Sequence, residues 1–120
     1  MRSFHDPDER RVLAGGRVVV DVVTVGEMPV QRVSHAPGWR WSVHSSPDVG
    51  TARCPNTHVG VLISGRMHVE EGDGTSGEAG PGDLLVILPG HDAWTVGDEP
   101  AVLIQFDEGA SAARRFGLVP

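Results

Sequence analysis

Turn-forming residues divide this chain into pieces too short to hold long helices. Gly or Pro stands at 15–16, 26, 37–38, 50, 65, 72, 74, 80–82, 89–90, 97 and 100, a break roughly every 8–12 residues. Between the breaks lie runs rich in β-branched and apolar side chains, such as VVVDVVTV at 18–25 and LLVIL at 84–88. Short runs of that kind bounded by Gly and Pro are strands. No segment repeats its apolar residues at the spacing of an amphipathic helix. The expected fold is all-β, with roughly eight to ten short strands in a sandwich or jelly-roll barrel.

Length and charge narrow the range of functions. At 120 residues the chain is one domain with one core. Its net charge of −6 argues against nucleic acid or an anionic membrane surface as a partner. No apolar run approaches the ~20 residues of a membrane span. A single Cys excludes an intrachain disulfide and fits a reducing, cytoplasmic setting. The polar start MRSFHDPDERR reads as a loose arm over 1–11 and not as a signal peptide. Residues 108–120 have helical composition for a turn or two and are expected on the surface.

In chain order, strands are expected over 17–25 (apolar on both faces and so covered on both), 28–35, 58–65, 66–71, 75–79, 84–88 and 101–107. Alternation in 28–35 sets Val30, Arg32 and Ser34 opposite Gln31, Val33 and His35. In the segment 39–44 it sets Trp39, Trp41 and Val43 opposite Arg40, Ser42 and His44, with the indoles as packing anchors. Pro55 restricts 51–57 to an edge or a bend. The corner Pro89-Gly90-His91 follows the apolar strand 84–88, with His91 and Ala93 on one face and Asp92 and Trp94 on the other. Asp83 is expected to bond nearby turn backbone. His68 is expected to face solvent, and His5 and His35 show no partner.

From residue 37 to 106 the chain resembles the cupin superfamily. Gly82-Asp83, the strand 84–88 and Pro89-Gly90-His91 are similar to the second cupin motif, and the stretch 58–65 followed by Arg66-Met67 is similar to the end of the first. The resemblance implies a small double-stranded β-helix with its functional site inside the barrel. It also implies a ligand set of two His, a Glu and a third His. Counted back from Gly65, the Glu position is His58, the second His position is Cys54 and the first is Ala52. The third His position is Ala93, with His91 two residues before it. Two of the four family positions are therefore Ala, which argues against metal-dependent oxygenase chemistry.

Cys54 and His58 are four residues apart and share a face of an unbroken strand, and the barrel implied by the resemblance brings His91 to them. Cys, His and His suit one divalent transition metal with an open fourth position, zinc before iron or copper. Without a metal, His58, His91 and His44 form an acid–base set. Arg40 is the candidate for holding a polar or anionic substrate, and Trp94 a candidate for closing one side of the pocket. Two functions follow. One is a small-molecule enzyme of lyase, dehydratase or isomerase type, metal-assisted or not. The other is a non-catalytic cupin that binds or senses a small ligand. A homodimer is expected, with the Val-rich strand 18–25 as its contact.

Overall fold

The computed structural model describes residues 1–106. Nine strands follow in order: β1 (Glu9–Leu13), β2 (Val18–Val25), β3 (Met28–His35), β4 (His58–Ser64), β5 (Arg66–Glu70), β6 (Ser76–Ala79), β7 (Leu84–Ile87), β8 (Asp92–Val96) and β9 (Ala101–Phe106). They form an antiparallel six-stranded sheet in the order β1-β2-β3-β9-β4-β7 and a three-stranded sheet in the order β6-β5-β8. Among the described residues, no helix is long and apolar enough to cross a membrane.

Strand alternation explains the core. Val18, Val20 and Val22 of β2, Val33 of β3, Leu62 of β4, Met67 and Val69 of β5, Ala93 of β8 and Leu103 of β9 are all buried in one cluster. Each fully buried Val, Leu or Met contributes about 1.5–3 kcal/mol of transfer free energy. Gly60 is required where β4 crosses β9, because a Cβ there would lie 2.1 Å from the Ile104 carbonyl oxygen. At Gly65, φ is +73° and the Pro100 carbonyl is equally close, so the turn between β4 and β5 admits no side chain.

Three expectations about the frame need correction. Residues 9–11 are not part of a loose arm, because they enter β1 and pair with residues 20–22 of β2. The N-terminal segment covers the outer face of β2 and β3. Arg10 and Arg32 both bind the buried Asp21 carboxylate, and Phe4 lies against the Arg32 guanidinium. The Val-rich strand is covered on both faces, but it is not an edge. Its backbone is paired by β1 on one side and β3 on the other, so it offers no strand edge to a second copy. The segment 39–44 is not an extended strand. Trp41–Ser45 forms a π-helical turn that runs into a four-residue α-helix, α1 (Ser46–Val49).

The indoles of that segment still act as anchors, since Trp39 and Trp41 are buried while Val43 is exposed. The reason for the turn lies outside the segment. Buried Asp92 on β8 accepts hydrogen bonds from the Ser42 N–H (3.0 Å), Ser42 Oγ (2.8 Å) and Arg40 Nε (3.0 Å). Local pattern cannot reveal a partner fifty residues away. The expected surface tail at 108–120, and Asp107 at the end of the last strand, lie outside the described residues.

Candidate metal centre

The two sheets enclose a cavity of about 650 Å3. Its walls are mostly apolar, with Val18, Val20, Val33, Leu103, Trp39 and Trp41 among them. Among its polar lining groups, Gln31 and His35 come from β3, Gln105 from β9, His58 from the start of β4, Cys54 from the stretch before it and His91 from the corner before β8. The face of β3 that alternation groups as Gln31, Val33 and His35 is the one turned inward.

Backbone pairing brings the last three together. The Cys54 N–H donates to the His91 carbonyl at 3.0 Å, and the Gly90 N–H donates to the Cys54 carbonyl at 2.7 Å. His58 opens β4 opposite Ile87 of β7, one short corner away from His91. The strand is broken between Cys54 and His58, yet the side chains converge. Cys54 Sγ lies 3.5 Å from His58 Nε2, the His58 and His91 rings meet edge-on at 5.0 Å, and one donor atom from each of the three residues lies within 4.8 Å of the others.

The hydrogen bonds behind the rings set their tautomers. Leu88 offers a carbonyl, which only accepts, so His91 Nδ1 carries the proton it donates at 2.6 Å. Gln105 donates its amide N–H to Gln31 Oε1 and turns its own Oε1 to His58 Nδ1 at 3.1 Å, so that nitrogen is also the donor. Both imidazoles therefore keep the Nε2 lone pair for the cluster. A ring held from behind in this way is the usual support of a metal-ligating histidine.

Burial governs the charge of the site. It lowers His58 to about 4, helped by the neighbouring His91, and the bond to Gln105 opposes it only in part. Burial also lowers His91, against the pull of the Leu88 carbonyl and of the Glu71 and Asp92 carboxylates. The Cys54 thiol is pushed up by burial, offset in part by the Asn56 N–H. The resting cluster is neutral: a thiol and two free imidazole nitrogens.

These donors fit a metal ion. A tetrahedral zinc with bonds of about 2.0–2.3 Å sets its ligands roughly 3.3–3.8 Å apart. The Cys54–His58 separation already has that length, and the remaining pairs need a contraction of at most about 1.5 Å. The family's third His position is Ala93, which is buried and lines the same cavity. His91, two residues earlier on the same face, reaches the site in its place.

Three expected site residues lie elsewhere. Arg40 does not line the cavity; its guanidinium pairs with Asp92 at 3.0 Å and sits 4.3 Å from the centre of the Trp94 ring. Trp94 is held outside the barrel between Arg40 and His68, whose ring stacks on it at 4.5 Å. Asp92 and Trp94 share the outward face of β8, so neither reaches a substrate inside. His44 accepts the Arg40 N–H at 3.0 Å and closes the π-helical turn. His68 is half-buried against Trp94 and not simply solvated. With Arg40 outside, the expected anionic substrate loses its cation. Asp83 bonds the Gly80 N–H at 2.7 Å, as a turn residue does.

Sequence reasoning passed over His35. It is buried, donates from Nδ1 to the Ala101 carbonyl at 2.9 Å, packs on Trp39 at 4.5 Å and is lowered to about 4 by burial. Gln31 and Gln105 were passed over too. The available signal was the alternation of β3, which already grouped Gln31 with His35.

No family model and no curated protein matches the sequence. Solved structures do match the fold. An uncharacterized conserved protein with a double-stranded β-helix domain from Klebsiella pneumoniae aligns with 88% of this chain and 86% of its own, at 19% identity and a TM-score of 0.57. A cupin-like protein from Thermotoga maritima covers 84% of this chain and 79% of its own, at 20% identity and 0.54. The oxalate decarboxylase of Lactobacillus farciminis, a formate complex, covers 88% of this chain but 31% of its own, at 19% identity and 0.57. The chain has the double-stranded β-helix fold of the cupins.

Proposed function

We propose that this cupin-fold chain is a small-molecule enzyme of lyase or isomerase type that holds one divalent transition metal, zinc by its donor set, on Cys54, His58 and His91. One observation supports this reading above the rest. Three side chains from two stretches of the chain bring donor atoms within 4.8 Å of one another, and both imidazoles have their other nitrogen bonded from behind.

The chain's own residues divide the work. Leu88 and the Gln31–Gln105 pair orient the two rings, and the Cys54–His91 bridge fixes the thiol beside them. The walls around them are mostly apolar. All three donor residues line that cavity. A bound zinc would supply Lewis-acid polarisation and an acidified water there. Apart from the three donors, His35 is the remaining imidazole lining the cavity among the described residues, and burial keeps it neutral. The fold neighbours include a decarboxylase, which is compatible with lyase chemistry in such a barrel.

Elemental analysis of untagged protein tests the reading. One zinc per chain, lost in both Cys54→Ala and His58→Ala with the fold retained, supports it. Wild-type protein that takes up no metal after incubation with zinc and dialysis would sink it.

A further inference from the structure

The proposed function leaves the ligand unnamed, and the cavity lining narrows it. The charged side chains that line it are Arg11 and Asp48, and both are exposed at its mouth. Arg11 bonds Glu9 at 2.8 Å, and Asp48 accepts the Ala14 N–H at 3.1 Å. Deeper in, no lysine, arginine, aspartate or glutamate lines the wall among the described residues. A carboxylate or phosphate buried there, away from the three-donor cluster, loses its hydration with no counter-charge, at a cost of several kcal/mol.

Away from the three-donor cluster, the buried residues of the inner wall leave two polar positions that no described group occupies, His35 Nε2 and the Gln31 side-chain amide nitrogen. His35 Nδ1 is taken by the Ala101 carbonyl. Nε2 bonds to no described residue, and no fully buried side-chain nitrogen or oxygen among them lacks a partner, so Nε2 opens onto the cavity. With the proton on Nδ1, Nε2 is an acceptor. Beside it stand the faces of Trp39 and, farther along the wall, Val33 and Leu103.

We infer that the cavity takes an uncharged molecule with a largely apolar, ring-sized body and one hydroxyl or N–H group, which donates to His35 Nε2. This ligand class rests on the barrel site of the proposed function but not on the metal being present. His35 is thereby a specificity-determining residue: it selects a donor over an isosteric apolar or anionic group.

The test uses three probes with one body: 4-propylphenol, propylbenzene and 4-propylbenzoate. Binding to metal-free protein at pH 7.5 is followed by calorimetry and by the fluorescence of Trp39 and Trp41. The phenol is expected to bind at least about tenfold more tightly than the benzoate. In His35→Phe, which keeps a ring against Trp39, the phenol should weaken about tenfold while propylbenzene stays within about twofold. A bulky Val33→Trp side chain should block all three.

Benzoate binding as tight as the phenol, or no binding of any probe at millimolar concentration, overturns the inference without any variant. Equal losses for phenol and propylbenzene in His35→Phe also overturn it, as does full binding by a folded Val33→Trp protein. Zinc content is measured separately on the same preparations. A failure of ligand selectivity is thus distinct from a failure of the metal reading.

Discussion

Cys54 and His91, thirty-seven positions apart, form an isolated antiparallel bridge, with the Cys54 N–H on the His91 carbonyl at 3.0 Å. Neither residue belongs to a long paired strand with the other. The bridge nevertheless sets the thiol next to the imidazole and so defines the candidate metal centre.

Metal binding should depend on pH through the thiol. Burial raises Cys54 above its ordinary value, so at neutral pH its proton leaves as the ion enters. His58, lowered to about 4, is already free of its proton above pH 5 and adds no such dependence there. Zinc affinity should therefore rise about tenfold per pH unit between pH 6 and 8. Competition with a chelating dye at three pH values checks this. In Cys54→Ala the slope should flatten along with the loss of affinity.

Acid should destabilise the metal-free fold in a defined window. His35 and His58 both sit near 4 in the folded chain against an ordinary 6.5, so protonation favours the unfolded state. The stability they allow is complete above pH 6.5 and is lost as pH falls towards 4. Each contributes roughly 3 kcal/mol over that range. Urea unfolding at pH 7, 6 and 5 should show the decline, to which His91, also lowered by burial, adds, and His35→Gln should remove part of its slope.

Asp92 should matter more than surface ion pairs. Its carboxylate is buried, which alone would raise it, but the hydrogen bonds from Ser42 and Arg40 outweigh burial and hold it below its ordinary range. Asp92→Ala leaves the Ser42 N–H and the Arg40 guanidinium without that acceptor and frees the π-helical turn from β8. A loss of about 2–4 kcal/mol is expected in denaturant unfolding. Arg53→Ala, which breaks the half-exposed pair with Glu70, should cost less than about 1 kcal/mol.

Gly60→Ala should be severe for so small a change. The added methyl would stand 2.1 Å from the Ile104 carbonyl oxygen and 2.9 Å from the Gln105 Cα, both backbone atoms of β9. Relief requires β4 and β9 to part. A drop in thermal midpoint equivalent to about 3 kcal/mol or more, or failure to accumulate folded protein, is expected. Gly77→Ala on β6 meets no atom within 4 Å and serves as the control with little effect.

Period and punctuation made the frame legible. Gly and Pro mark the strand ends, β-branched runs fill the strands, and two-residue alternation assigns the inward face of β3 and the shared face of His91 and Ala93. The three metal-binding candidates were legible as well, because Cys54, His58 and His91 fall at or beside the cupin motif positions. The strand frame is local, and rules of chirality and strand period determine it; the meeting of the three candidates was what the family resemblance implied.

What the sequence did not determine depends on partners distant along the chain. Arg40 and Trp94 read as pocket residues until Asp92, fifty-two residues from Arg40, takes the guanidinium out of the barrel and Trp94 stacks on it. His35 reads as isolated until β9 brings the Ala101 carbonyl to its ring and leaves Nε2 facing the cavity. A side chain's residue type states which bonds it is able to make. Only the packed barrel decides which of those bonds are already satisfied, and the unsatisfied donors and acceptors are what a ligand meets.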